Sequence, residues 1–275
     1  MPGAYVVCVG LATLDTIVAV PRHPAPDDRV VASELVAAGG GPAATAAVAL
    51  ARLGVPTYFV GNVGDDDVGD AIRSSLDGVD LSELATAAGA RSPQSVVVVG
   101  DDGRAICAYR GSVPPLVLSP RGRELCEQAA WVHVDHVGYE AARGAGRLSV
   151  DGGNPIDGLE LADVELYAPT EAALTEQFGT AETALAAGAR LVVVTRGDRG
   201  SVAYTADGDV VEAPGVGGEV VSTLGAGDVF HGALLAGFVR GLPLADALGF
   251  ANRVAARSCR ALDGRSAIPR LEEVE

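Results

Sequence analysis

Residues Val220–Phe238 read VVSTLGAGDVFHGALLAGF, and the glycine–alanine–glycine turn within them decides how the rest of the chain is read. A short β-branched run precedes the turn and a strongly helical run follows it. A helix N-terminus presents unpaired backbone N–H groups and the positive end of the helix dipole. Gly225 and Gly227 leave room for an anion to approach that backbone. Asp228 falls in the first helical turn. One reading makes it an acid that merely complements the dipole. The other is phosphoryl transfer, with the helix N-terminus holding the phosphoryl group and the carboxylate taking a proton from an attacking hydroxyl.

Working outward, strand and helix signals alternate. Continuous apolar runs at 4–10, 57–64, 129–135, 146–153, 163–170 and 189–197 predict buried strands. Helices are expected at 39–54, 65–76, 171–179, 180–188, 226–241 and 244–261. Residues 94–111 predict a hairpin turning at Asp101, Asp102 and Gly103, and 201–215 a second one at Asp207–Gly208. A further, more alternating strand is expected at 29–36. Alternating strands and helices imply an α/β fold with a mostly parallel sheet covered on both faces. The strand-rich pieces at about 15–36 and 93–111 have no helices between them and are expected to form a small antiparallel β lid beside a single domain spanning 1–275. Only about ten residues, 136–146, separate two successive strands, so that crossover must be short or distorted.

Composition narrows the class. The chain has 275 residues, a net charge of −16, 48% hydrophobic and 20% charged residues, as expected of a globular protein with a sizeable core. The acidic balance argues against sequence-independent binding to nucleic acid or to an anionic membrane. There is no lysine: all 20 basic residues are arginines, which excludes a lysine nucleophile, a Schiff base and a P-loop lysine. Cys8, Cys107, Cys126 and Cys259 show no metal-ligand spacing, and most sit in apolar runs as buried thiols. With no secretory leader and no membrane-length apolar run, a cytoplasmic protein is expected.

TLGAGDVFHGALLAG resembles the second signature of the PfkB, or ribokinase-like, family of carbohydrate and nucleoside kinases. Four more stretches are similar to the family's motifs in the same order: GLATLD (10–15), GGGPAATAAVALARLG (39–54), GNVGDDDVGD (61–70) and VVTRGDRG (193–200). FANRVAARSC (250–259) resembles the helix that lines its adenine pocket. The resemblance covers essentially the whole chain. It implies a ribokinase-like three-layer α/β/α fold, ATP and magnesium as cofactors, a small sugar as substrate, and a homodimer formed through the β lid. By the same resemblance Asp228 would be the general base, and Gly225, Ala226 and Gly227 the anion hole. Asp15, Gly40, Gly41 and Thr45 would face the sugar. Thr195, Gly197, Gly200 and Asn252 would lie along the ATP site. GGGPAATAAVA and GDVFHGAL look most like the ketohexokinase-type and sulfofructose kinase branch, which implies a ketose-type acceptor phosphorylated at a primary hydroxyl. Arg29 and Arg110 are candidates for an anionic group on that substrate.

The sequence departs from the family pattern in places. Ser222 stands where the signature opens with Asp, and Thr45 where an Asn is usual. The magnesium-linked N-x-x-E falls on Thr170 and Ala173, with Glu171 at a different spacing. No metal ligands are therefore assigned. His133 and His136 flank Asp135 after a strand, where ligands gather in α/β proteins, but no third ligand is evident. His231 can share a helix face with Asp228, in a packing or a supporting role. Two rivals stay open: a nucleoside kinase on the same scaffold, and a non-catalytic nucleotide- or sugar-binding regulator.

Overall fold

Strand β1 (Val6–Val9) is buried along its whole length, and its alternation divides the molecule. Val6 and Cys8 pack into one core, Val7 and Val9 into another, as the two-residue period of a strand requires. In this computed structural model, which describes residues 5–100 and 103–274, β1 pairs in parallel with β4 (Thr57–Gly64) and β8 (Trp131–Val134). Beyond β4 lies β5 (Asp80–Ala87) at the edge. Beyond β8 come β9 (Leu148–Asp151), β10 (Val164–Ala168) and β11 (Leu191–Thr195), all parallel. The hairpin of β12 (Ser201–Thr205) and β13 (Val210–Ala213) completes a nine-stranded sheet.

Helices cover both faces. On one lie α1 (Pro42–Arg52), α2 (Asp67–Ser74), α7 (Ala226–Val239) and α8 (Leu244–Ser258), with Leu50, Ile72, Leu234 and Leu248 in a shared core. The other carries α3 (Pro120–Gln128), α4 (Tyr139–Ala142), α5 (Glu171–Gln177) and α6 (Ala181–Ala186), represented there by Cys126, Tyr139, Leu174 and Ala184. This is the three-layer architecture that the alternation implies.

A four-stranded sheet stands beside it, ordered β3 (Glu34–Gly40), β2 (Thr13–Ala19), β6 (Gln94–Gly100), β7 (Gly103–Tyr109). Its outer pairs are antiparallel and its central pair, β2 with β6, is parallel. Ile17, Val36 and Val97 point inward onto Leu224 and Leu262. Leu35, Val96 and Tyr109, on the opposite parity, are exposed. The expected turn residues Asp101 and Asp102 lie outside the described residues.

Three elements differ from the sequence reading. The strand expected at 29–36 runs instead over Glu34–Gly40. Gly39 and Gly40 belong to it because they pair with Leu14 and Thr13, and the helix waits for Pro42. β5 was not expected: it is an edge strand whose Asp80 and Ser82 are exposed, so its apolar pattern is diluted. α3 was not expected either, since only Gly122 and Cys126 of it are buried. The crossover at 136–146 is short as anticipated, with α4 a single turn.

That crossover makes a sharp stability prediction. A Cβ on Gly138 would overlap the Val9 carbonyl, and backbone cannot yield as a side chain can. Gly138→Ala should cost about 1–3 kcal/mol. Gly217→Ala, where nothing lies within 4 Å, should stay within about 0.5 kcal/mol. Equal urea midpoints for the two variants would refute the packing described.

Candidate active site

At the carboxyl ends of the parallel strands, where open α/β sheets hold ligands, a cleft of about 370 Å³ opens between the two sheets. Its floor is the N-terminus of α7. Gly225 adopts φ 70°, a left-handed conformation that glycine tolerates best, and nothing stands within 4 Å of where a Gly227 Cβ would be. The Ala226 N–H donates to the Thr223 carbonyl at 3.3 Å, which leaves the N–H groups of Gly227 and Asp228 as the first-turn donors without an intrahelical partner. Ser222 secures the preceding turn: its hydroxyl accepts from Leu224 N at 3.1 Å, and its own N–H donates to the Cys259 carbonyl.

Four ionisable groups act on Asp228: Asp151, His231, Asp135 and Arg265. Burial pushes the Asp228 carboxyl up to about 8, and the nearby Asp151 adds to the shift while His231 opposes it. Asp151 itself is buried, yet it is brought down to about 2 by His231, His133 and the Gly153 N–H, which together outweigh burial. His231 Nδ1 lies 3.1 Å from the Asp151 carboxylate. Burial lowers the His231 imidazole, but Asp151 and Asp228 raise it more. The fourth group is Arg265, 5% exposed. Its guanidinium donates to the Gly40 carbonyl at 2.6 Å, to Thr45 Oγ1 at 3.1 Å and to Ser75 Oγ at 3.1 Å. Burial pulls it down to about 10 despite the attraction of Asp15 and Asp228.

The opposite wall comes from the small sheet and the β3–α1 turn. Asp15 accepts from Thr13 Oγ1 at 2.8 Å and from the Ser95 hydroxyl. A Cβ on Gly40 would collide with its carboxylate, so this glycine is what leaves the acid room. Behind them sits Asp135, fully buried. It accepts four backbone hydrogen bonds, from Leu11 at 2.8 Å, Ala43 at 3.2 Å, Val137 at 2.9 Å and Gly138 at 3.0 Å.

Of the residues singled out from sequence, Asp15, Gly40, Gly41, Thr45, Thr195, Gly225, Gly227 and Asp228 line this one cleft. Ala226 is the first residue of α7, beside it. Gly197, Gly200 and Asn252 form a neighbouring unit. Asn252 Nδ2 donates to the Ala213 and Pro214 carbonyls at 3.1 and 3.0 Å, and a Cβ on Gly200 would strike that same segment. Arg29 and Arg110 are exposed and do not line the cleft. The lining arginine is Arg104, which donates to Thr223 Oγ1 at 2.8 Å across the mouth. Sequence reasoning missed Arg104, Arg265 and Asp151. No motif marks them, because each acts through a fold contact with a residue far away in the chain.

The chemistry of this floor fits a polyphosphate: unpaired N–H groups, a left-handed glycine and space. The 170–173 stretch offers magnesium no unpaired carboxylate. Thr170 caps α5 by accepting from Ala173 N at 3.2 Å, and Glu171 is paired with Arg199 at 2.5 Å.

Comparison with known proteins agrees with this geometry. Residues 4–146 and 157–271 match the family model described as pfkB family carbohydrate kinase. The chain is 27% identical to the ribokinase of Bacillus subtilis (strain 168), over 98% of each chain. It is 31% identical to the acarbose 7(IV)-phosphotransferase of an Actinoplanes species, over 92% of this chain and 91% of that one. An Agrobacterium tumefaciens crystal structure, provisionally named a ribokinase, superposes with a TM-score of 0.88 at 29% identity, covering 99% of this chain and 96% of that one.

The three-sided grip of Arg265 is testable. A lysine ammonium cannot span Gly40, Thr45 and Ser75 as a planar fork does. Arg265→Lys should lose about 2–4 kcal/mol in equilibrium unfolding, since each hydrogen bond to a charged group is worth about 1.5–3 kcal/mol. An unchanged midpoint would show that the fork is not engaged.

Proposed function

The chain belongs to the pfkB family of carbohydrate kinases, and from that premise we propose that it transfers the γ-phosphoryl group of ATP to a primary hydroxyl of a small sugar, with Asp228 as general base. As a member it is an ATP-dependent phosphotransferase of the carbohydrate and nucleoside kinase class. The observation that carries the finer reading is the position of Asp228. A buried carboxyl with raised proton affinity sits in the first turn of the helix whose N-terminus floors the cleft.

The step balances simply. The acceptor O–H bond breaks and its proton passes to the Asp228 carboxylate. The freed oxygen bonds to the γ-phosphorus, while the bond from that phosphorus to the bridging oxygen breaks and ADP leaves with the electron pair. Charge on the phosphoryl oxygens is met by the N–H groups of Gly227 and Asp228; that of Ala226 is turned to the Thr223 carbonyl. Asp15, Thr45 and the Gly40–Gly41 backbone orient the sugar, and Arg265 fixes Thr45: a hydroxyl that accepts from a guanidinium is left to donate its own proton elsewhere. Magnesium neutralises the phosphates of the nucleotide. It would come with the nucleotide and be held by phosphates and water, since the one carboxylate of the 170–173 stretch, Glu171, is paired with Arg199.

The cleft size and its hydroxyl- and carboxylate-rich wall favour a monosaccharide. Among the described lining residues no Phe, Tyr or Trp offers a face for a nucleobase, which speaks against a nucleoside acceptor. The ketose-type acceptor implied by GGGPAATAAVA and GDVFHGAL is the first to test.

Two measurements decide this reading. ADP release should be assayed with Mg-ATP across ketoses, ribose, nucleosides and sugar acids, with Asp228→Asn in parallel. One monosaccharide should turn over, and the variant should lose about 10²–10⁴-fold in kcat. An active Asp228→Asn enzyme would sink the assignment. The second is the pH profile of kcat/KM, which reports the free enzyme. The base must be deprotonated to act and its pKa is raised to about 8. The rate should therefore climb about tenfold per unit below pH 8 and level off above it. A profile flat from about pH 6 would rule out a buried Asp228 as the titrating group.

A further inference from the structure

Beneath Asp228 lie three side chains that the transfer reaction does not need together. His133, Asp151 and His231 are 0%, 3% and 5% exposed, and one ligand atom from each falls within 4.8 Å of the others. We propose that these three residues form a binding site for a transition-metal dication of the zinc and cobalt class, with its remaining coordination position facing the cleft.

The nitrogens show which way the site points. His133 Nε2 is buried and has no hydrogen-bond partner. His133 Nδ1, on the far side of that ring, lies 3.4 Å from Ser149 Oγ. When Nδ1 carries the proton toward Ser149, Nε2 presents a bare lone pair inward with no donor to meet it. The His231 Nδ1 contact to Asp151 is 3.1 Å long but lacks hydrogen-bond geometry, while the Ala168 carbonyl engages the same imidazole. The far oxygen of Asp151, Oδ1, accepts from Gly153 N at 2.8 Å. Each ligand is thus held from behind by a hydroxyl, a carbonyl or an N–H, and turns its free atom toward a common point. Metal-binding histidines and carboxylates are oriented in this way.

An ion pair between His231 and Asp151 would account for two of the three residues. It leaves His133 Nε2 unsatisfied, at a cost of about 1–3 kcal/mol for a buried polar atom. A metal ion satisfies all three. Tetrahedral ligands at about 2.0–2.2 Å from zinc stand roughly 3.4 Å apart, close to the His231–Asp151 separation, and a rotation of His133 completes the set. Two imidazoles and one carboxylate suit zinc or cobalt. Magnesium, which demands octahedral oxygen, is a poor match. Asp151 and His231 both line the cleft, so a water or a substrate oxygen can take the open position.

The test titrates Co2+ into chelator-treated, dialysed protein without nucleotide. Expected is one ion per chain by equilibrium dialysis, with a visible ligand-field band that Zn2+ abolishes and excess Mg2+ does not. Zn2+ should also raise the melting temperature, because it binds only the folded chain. His133→Leu should melt no lower than the parent without metal, since it removes the orphaned nitrogen, and should lose both the band and the Zn2+-dependent rise. If that variant does not fold, Ser149→Ala provides the check, with Co2+ affinity expected to fall about 10–100-fold. Absence of Co2+ uptake by the parent chain, or undiminished uptake in these variants, overturns the site.

Discussion

The carboxylate of Asp135 is the constraint on which the rest of the active end depends. One buried group accepts N–H bonds from three separate segments: Leu11 between β1 and β2, Ala43 in the first turn of α1, and Val137 and Gly138 after β8. A buried carboxylate without such donors would be very costly. Satisfied fourfold, it locks all three segments at once. The same contact explains two glycines. A Cβ at Gly10 would occupy the carboxylate itself, and one at Gly138 the Val9 carbonyl. It also explains the single-turn crossover: a chain drawn back onto Asp135 has no slack for a longer helix. Because α1 begins two residues after Gly40, the lock at Ala43 also fixes where Asp15, Gly40 and Thr45 stand.

Charge in the cleft is arranged with similar economy. Burial is the main reason that the Asp228 carboxyl is pushed up to about 8; Asp151 and Asp135 add to the shift, and His231 and Arg265 oppose it. Removing its proton places a negative charge in a buried space. Groups whose environments push their proton affinities apart mark sites of acid–base work. Here Asp151 at about 2 and Asp228 at about 8 face the same cavity.

Much of this was legible in the sequence, and for a physical reason. The central strands are buried on both faces, so they read as continuous apolar runs, and the turn before α7 needs glycines that no other residue replaces easily. Elements half in water were harder. β5 exposes alternate residues at the sheet edge and α3 buries only two, so neither carries a clear period. Gly39 and Gly40 read as a helix opening, but pairing with β2 makes them strand. The same limit applies to the site. Asp15, Thr45 and Asp228 sit in recognisable local patterns, whereas Arg265 is separated from Thr45 by 220 positions and Asp151 from His231 by 80. Arg29 and Arg110 were plausible by their place near the small sheet. Arg104 faces the cleft instead, because strand alternation puts it near Ile106 and Ala108.

A chain with net charge −16 and no lysine must still hold a nucleotide polyanion, and the geometry indicates how. Surface charge is screened within about 8 Å at physiological salt, so the acidic exterior matters little at the bottom of a cleft. What acts there is short-range and fixed: the N–H groups and dipole of α7, equivalent to roughly half a positive charge. That field comes from the backbone. It does not depend on a flexible cationic side chain, and it needs no reorganisation as charge develops on the transferred group. Arginine then serves where planar geometry counts, as in the fork of Arg265 and the reach of Arg104 to Thr223. On the proposed reading the absence of lysine is tolerable, because an anion site at α7 would be made of main chain, with the glycines at 225 and 227 exposing it.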